Sequence, residues 1–236
     1  LQQSSAASDV YKRQEQVEGI KFPSIPGFNI NEATDILLKR DFDKYREIGE
    51  PHPFLVAKER DFLIPFSHEH FELWTQSLHF GAKDRLNFVD PKTNLKVGGG
   101  LDDVWLNINT NCLHIVDYKS TSQKSDKGPI TLDDPWKASY KRQMDLYVWV
   151  LRKKGFHVDD VGYFLYCDGD RFSDYDFLSS TAASMNFKIT LIDYKTNDTW
   201  IEPTLQDISE CLNESKRPLH SDYCEYGKFL TQSLNQ

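Results

Sequence analysis

Asp117 and Lys119 close an apolar run, Leu113-His114-Ile115-Val116. One hairpin upstream stands Gly99-Gly100-Leu101-Asp102, and Gln143 and Tyr147 follow within a helical pattern. Strand side chains alternate between faces, so Asp117 and Lys119 share one face and Tyr118 turns away. Asp102 on the paired strand reaches the same face, with Leu101 before it pointing into the core. Two carboxylates and a lysine in this order suit phosphodiester hydrolysis, which needs an attacking water, charge neutralisation at phosphorus and help for the leaving oxygen. Carboxylates are hard oxygen ligands for Mg²⁺ or Mn²⁺. Such an ion acidifies its bound water and stabilises developing charge. Asp102, Asp117 and the Tyr118 main-chain carbonyl are the candidate metal ligands; Lys119 positions the water or stabilises the charge at phosphorus.

The elements that must position these residues read as follows. A helix begins near Asn29 or Asn31 as cap and carries Ile30, Ala33, Ile36-Leu37-Leu38, Phe42 and Tyr45 near 3.6-residue spacing, ending about Arg46–Gly49. Residues 54–66 have no clear pattern. Residues 67–80 read as a helix capped by Ser67, with Phe71, Trp74 and Leu78 on one stripe. Residues 86–89 form a short strand, and 91–94 a turn. Residues 95–108 read as one long strand kinked at Gly98-Gly99-Gly100, since glycines in a strand mark a bulge or a close backbone approach. Asn109-Thr110-Asn111 turns the chain into an antiparallel return over 112–118. Residues 120–135 form a polar loop beside the site. A helix over 135–154 presents Tyr140, Met144, Tyr147, Val148 and Leu151, and Gly155 ends it. Strands over 161–167 and 186–194 and a helix over 203–216 complete the order. Helices able to cover a mixed sheet argue for an α/β or α+β architecture.

The chain has 236 residues, 39% apolar and 13% aromatic, a globular composition. No apolar run approaches the ~20 residues of a membrane span. Residues 1–14 lack the layout of a secretory signal. They read as a cloning or assembly scar, so residues 1–19 are set aside as non-native or disordered and 20–236 as a single domain. A net charge of −8 excludes binding to nucleic acid through a broad basic surface; any such contact is local. Cys112, Cys167, Cys211 and Cys224 are widely spaced and form no CxxC, which points to a reducing, cytoplasmic setting.

The set Gly99-Gly100-Leu101-Asp102, Asp117-Tyr118-Lys119 and Gln143-x-x-x-Tyr147 resembles the PD-(D/E)XK nuclease superfamily. It is most similar to the branch with RecB-like and CRISPR-associated single-strand exonucleases. The resemblance is clearest over residues 97–167. It implies a restriction-endonuclease-like core, a central mixed β-sheet flanked by helices, and a divalent metal, Mg²⁺ or Mn²⁺. Carried over residue by residue, Asp102 and Asp117 are metal ligands and Lys119 is the catalytic lysine. Gln143 and Tyr147 support the site and contact DNA. Asp35 holds the place of an extra metal ligand on the first core helix; the alternative is a solvated helix carboxylate. Some relatives carry an iron–sulfur cluster, but Cys224-Glu225-Tyr226-Gly227 departs from that cysteine pattern, so no cluster is expected. The implied role is in DNA repair, recombination or defence. The implied substrate is single-stranded DNA or duplex ends, within a larger repair or defence complex or alone, and away from membranes.

An acid-x-lysine tripeptide alone is a weak signal. Asp193-Tyr194-Lys195 repeats it without the flanking elements and reads as a strand-end salt-bridge or turn set. Asp103 reads as a solvent-facing acid, with a glycine bulge as the alternative. His52, His68, His70 and His79 read as surface or capping residues, because His68 and His70 on a helix would diverge by ~200°. Lys141-Arg142 and Arg152-Lys153-Lys154 are either a local phosphate track or a solvated helix face with a favourable cationic C-terminus. Trp136, Tyr140 and Trp149 could stack on bases, but are taken as packing residues. Two other function classes stay open: a nucleic-acid-binding module with weak or no catalysis, and a structural subunit whose Asp–Lys pair is only a salt bridge.

Overall fold

The computed structural model describes residues 29–76, 85–123, 128–215, 218–220, 224 and 227. Two compact units are formed. The larger comprises residues 28–88 and 96–198 and holds all the candidate site residues. In chain order it contains α1 (Asn29–Ile48), α2 (Pro53–Ala57), β1 (Leu63–Pro65), α3 (Phe71–Trp74), β2 (beginning at Asn87), β3 (Lys96–Gly98), β4 (Asp103–Asn107), β5 (Cys112–Thr121), α4 (Ala138–Lys153), β6 (Val161–Gly169) and β7 (Phe187–Lys195). A 3₁₀ turn over Pro135–Lys137 leads into α4.

Five strands form a mixed sheet in the order β1-β4-β5-β6-β7. β4 runs antiparallel to both its neighbours, β1 and β5; β5 and β6 run parallel, and β7 returns antiparallel to β6. The parallel step requires a crossover, which the loop after β5 and α4 provide. The mixed sheet with flanking helices agrees with the expected restriction-endonuclease-like core. β5 and β6 are buried along nearly their whole length, as central strands must be.

One sheet face carries Leu63, Trp105, Val116, Tyr118, Tyr163 and Leu165 and is covered by Phe42 of α1 and Leu55 of α2. Phe42 lies 5.2 Å from the Trp105 ring and 6.1 Å from the Tyr118 ring. The opposite face is met by α4, where a Cβ on Gly162 would come within 2.6 Å of the Met144 sulfur.

Several expectations change here. Residues 54–66 hold α2 and the edge strand β1; the α2 start was legible in Pro53 behind His52, which accepts the Phe54 N–H at 3.0 Å. The helix expected over 67–80 is one turn, Phe71–Trp74; Ser67 and His68 precede it, and residues 77–84 lie outside the described residues. The single long strand over 95–108 is two strands in two different sheets. The glycines do more than kink it: a Cβ on Gly98 would sit 2.1 Å from the Leu86 carbonyl oxygen, so the backbones approach too closely for any other residue.

The smaller unit takes in residues 89–95 and, among the described residues, 199–215, 218–220, 224 and 227. α5 (Ile201–Asn213) begins two residues before its expected start and buries Ile201, Leu205 and Ile208 at helical spacing. Lys92 pairs with Glu202 at 3.1 Å. Among the described residues no helix is long and apolar enough to cross a membrane.

Candidate active site

β5 sets the site by alternation. Asp117 and Lys119 point to the α4 face, and Tyr118 between them enters the opposite core, as the spacing requires. Lys119 pairs its ammonium with Asp117 Oδ2 and lies 3.4 Å from the Tyr118 carbonyl oxygen. Asp102 stands in the segment before β4 and accepts the Tyr118 N–H through Oδ2 at 2.8 Å. One backbone amide of β5 thus docks the second acid beside the first. The Asp102 carboxylate lies near enough to that of Asp117 to push its pKa up.

The electrostatics are those of a crowded, dry acid pair. Burial pushes the Asp117 carboxyl up to about 7; Lys119 pulls it down and Asp102 pushes it up again. Burial opposes the Lys119 charge, but Asp117 and Asp102 outweigh it and hold its pKa above the ordinary value. Asp117 Oδ1 is buried without a hydrogen-bond partner. A buried polar atom left unpaired is costly and calls for an explanation. A hard cation is one that suits it: two carboxylates and a main-chain carbonyl are the donor set Mg²⁺ takes when it keeps most of its waters.

Asp35 projects from the first turns of α1, and its carboxyl is raised to about 6, first by burial and then by Asp102. The Thr34 and Ser120 hydroxyls are in contact, tying this end of α1 to β5 beside Lys119. Among the described residues no three His, Cys, Asp or Glu side chains form a metal-holding group, so Asp35 neighbours the acid pair without completing a triad.

α4 supports the loop that carries Asp102. Tyr147 donates to the Gly100 carbonyl at 2.6 Å, and Gln143 Nε2 donates to the Tyr147 hydroxyl at 3.0 Å. A Cβ on Gly99 would meet the Tyr147 ring at 2.9 Å, so glycine lets the tyrosine lie against the loop. Tyr147→Phe is expected to cost about 1–3 kcal/mol, from two lost hydrogen bonds at about 0.5–1.5 kcal/mol each. Urea denaturation measures this, and an unchanged midpoint would show that Tyr147 does not hold the loop.

Asp103 is the clearest correction. It is fully buried, not solvent-facing. Its carboxylate accepts from Arg46 at 2.6 Å, the Tyr118 hydroxyl at 2.7 Å, the Val104 N–H at 2.7 Å and Trp105 Nε1 at 3.3 Å. Arg46 also reaches Asp43 at 2.9 Å and covers the Phe71 ring at 3.9 Å. Alternation did place Asp103 on the face opposite Asp102; that face is core because α1 covers it.

The repeated tripeptide behaves as expected, with Asp193 pairing with Arg60 at 3.1 Å on β7. His52 caps α2, and His68 accepts the His70 N–H at 3.1 Å in a turn, not on a helix. His79 lies outside the described residues. Trp149 is buried as a packing residue should be, whereas Trp136 is 45% exposed. The sequence reading missed Lys39, whose Nζ lies 3.9 Å from Asp102 Oδ1. Its position one turn after Asp35 on the same helix face was the available signal. It also missed the link from Tyr140 to Lys119, whose ammonium sits 4.7 Å over that ring.

Comparison with known families agrees with this geometry. The model of the PD-(D/E)XK nuclease superfamily matches residues 30–226. No match emerges among curated proteins or among solved structures. The match spans most of the chain and both acids of the pair, and the chain belongs to the PD-(D/E)XK nuclease superfamily.

Proposed function

We propose that the chain is a divalent-metal-dependent nuclease that hydrolyses phosphodiester bonds of DNA. The observation that carries this reading is the Asp102–Asp117–Lys119 cluster, with its unpaired buried carboxylate oxygen. Asp102, Asp117 and the Tyr118 carbonyl would hold Mg²⁺ or Mn²⁺. A bound ion would supply Lewis acidity and a water acidified toward neutrality. Lys119, fixed by Asp117, offers N–H donors to the attacking water or to a phosphate oxygen as charge grows there. Asp35 adds negative potential beside the pair. Lys39 provides a second cation, so nucleic acid meets local positive charge on an acidic protein. The Gln143–Tyr147–Gly100 chain favours the RecB-like branch, where a helical Gln and Tyr support the site.

Cleavage of labelled single- and double-stranded DNA should need Mg²⁺ or Mn²⁺ and persist in Lys195→Ala. No cleavage with either metal on any DNA would overturn the reading in favour of a binding or structural subunit.

The metal should also appear in stability. A ligand of the native state raises the melting temperature. Mn²⁺ should do so for the wild type and far less for Asp117→Ala. The pH dependence has a definite sign. Asp117 is raised in the folded protein above its unfolded value of about 3.9, so stability is lost as pH rises from that value through about 7. Acidification through that range relieves the metal-free protein while protons compete with the metal. The Mn²⁺-induced shift is therefore expected to be larger at alkaline pH and to shrink below about 7. A shift independent of pH would remove Asp117 from the ligand set.

A further inference from the structure

Beyond Lys119 the site continues into a cleft of about 260 Å³ lined by Ser122, Gln123, Trp136, Tyr166 and Arg171 among others. Tyr166 faces Lys119 in register on the neighbouring parallel strand, so both side chains share one sheet face. Tyr166 lines the cleft and is 2% exposed, and its buried hydroxyl has no hydrogen-bond partner. Trp136 also lines the cleft. Trp136 lies edge-on to Tyr140 at 5.5 Å, and Tyr140 lies under the Lys119 ammonium, so rings lead from the reacting centre into the cleft.

Lys137 is buried; it donates to the Thr131 carbonyl at 2.5 Å, pairs with Asp134 at 3.0 Å and sits 5.0 Å from the Trp136 ring centre. This buried ammonium fixes the turn that carries the partly exposed Trp136. Arg171, another lining residue, is exposed and anchored, its Nε donating to the Ser122 hydroxyl at 2.9 Å and its NH2 to the Ser122 carbonyl. A guanidinium has five N–H donors, so some remain for a phosphate oxygen.

A flat ring, a buried hydroxyl without a partner and a fixed guanidinium match the base, the polar edge and the phosphate of a nucleotide. The volume lies just under the ~300–1,000 Å³ of drug-sized pockets, enough for one nucleotide and not for a base pair. A base can lie on Trp136 only when it is free of its complement. We propose that this cleft is a subsite for one unpaired nucleotide adjacent to the scissile phosphate, so that the enzyme acts on single-stranded DNA. The base stacks on Trp136, Tyr166 donates to its edge or sugar, and Arg171 holds the neighbouring phosphate.

This subsite rests on the nuclease reading for its purpose, but its test does not require cleavage. Binding of a fluorescent single-stranded oligonucleotide is measured in EDTA, against the same duplex and against strands carrying one abasic position moved along the chain. Trp136→Ala should weaken single-strand binding by about tenfold, the scale of one base–aromatic stack, and Trp136→Phe should restore most of it. One abasic position should weaken wild-type binding similarly and have no further effect in Trp136→Ala. Tyr166→Phe should weaken binding by a few-fold, with its fold checked by thermal melting. Coupling between Trp136 and one abasic position without cleavage in Mg²⁺ would keep the subsite and remove the nuclease activity. Cleavage without that coupling, or equal affinity for the duplex, would overturn the subsite and leave the nuclease reading in place.

Discussion

Lys119→Ala is expected to lower the DNA cleavage rate by on the order of 10²–10³-fold, the scale for losing one preorganised electrostatic donor. Metal-induced stabilisation should persist in this variant, because both carboxylates and the Tyr118 carbonyl are kept. Asp117→Ala should lose cleavage and metal response together. The contrast follows from the geometry. Lys119 meets Asp117 Oδ2 and lies near the Tyr118 carbonyl, whereas Asp117 Oδ1 has no partner and awaits one. Lys119→Arg should not rescue, since a planar guanidinium does not replace a compact ammonium wedged over Tyr140. Single-turnover cleavage with parallel Mn²⁺ melting curves measures the split. Loss of metal response in Lys119→Ala, or activity near wild type, would show that the lysine has a structural role.

Asp103→Ala is expected to destabilise the fold by about 3–5 kcal/mol, because it strands a buried arginine. Arg46 and Asp103 are 2.6 Å apart, with side chains only 10% and 1% exposed. Tyr118 and Trp105 would lose their acceptor as well. The double replacement Arg46→Met with Asp103→Leu should recover much of the loss, since apolar residues of similar volume often substitute for a buried pair without net cost. Urea denaturation of the two single variants and the double measures this. Equal loss in the single and double variants would mean that the network stabilises by packing and not by charge. The effect reaches the face of the acid pair: Tyr118 donates its hydroxyl to Asp103 and its backbone N–H to Asp102, so one residue joins the core network to that pair.

The site's skeleton was legible because strand alternation and helical spacing are local rules. Asp117 and Lys119 share a face, Tyr118 opposes them, and Gln143 and Tyr147 lie one turn apart, all readable from residue types and intervals. The hairpin at Asn109-Thr110-Asn111 was equally local: Asn107 accepts the Asn109 and Thr110 N–H groups, and Asn111 takes φ 56°. What was misread depended on distant chain. Asp103 becomes a core acid because α1 brings Arg46 onto it from 57 positions away. The glycine run ends a strand instead of kinking it because Leu86 and Tyr147 crowd it from elsewhere.

The sequence by itself determined the chemistry on offer: an acid pair, a lysine and a helical Gln–Tyr, in an order that names their superfamily. Only the tertiary structure decided what surrounds them. Packing of α1, β5 and α4 buries Asp117 and lifts its carboxyl, brings Asp35 and Lys39 toward Asp102, and leaves Trp136 exposed beside an unpaired Tyr166 hydroxyl. Burial and charge contact are properties of assembled neighbours, and no interval along the chain encodes them.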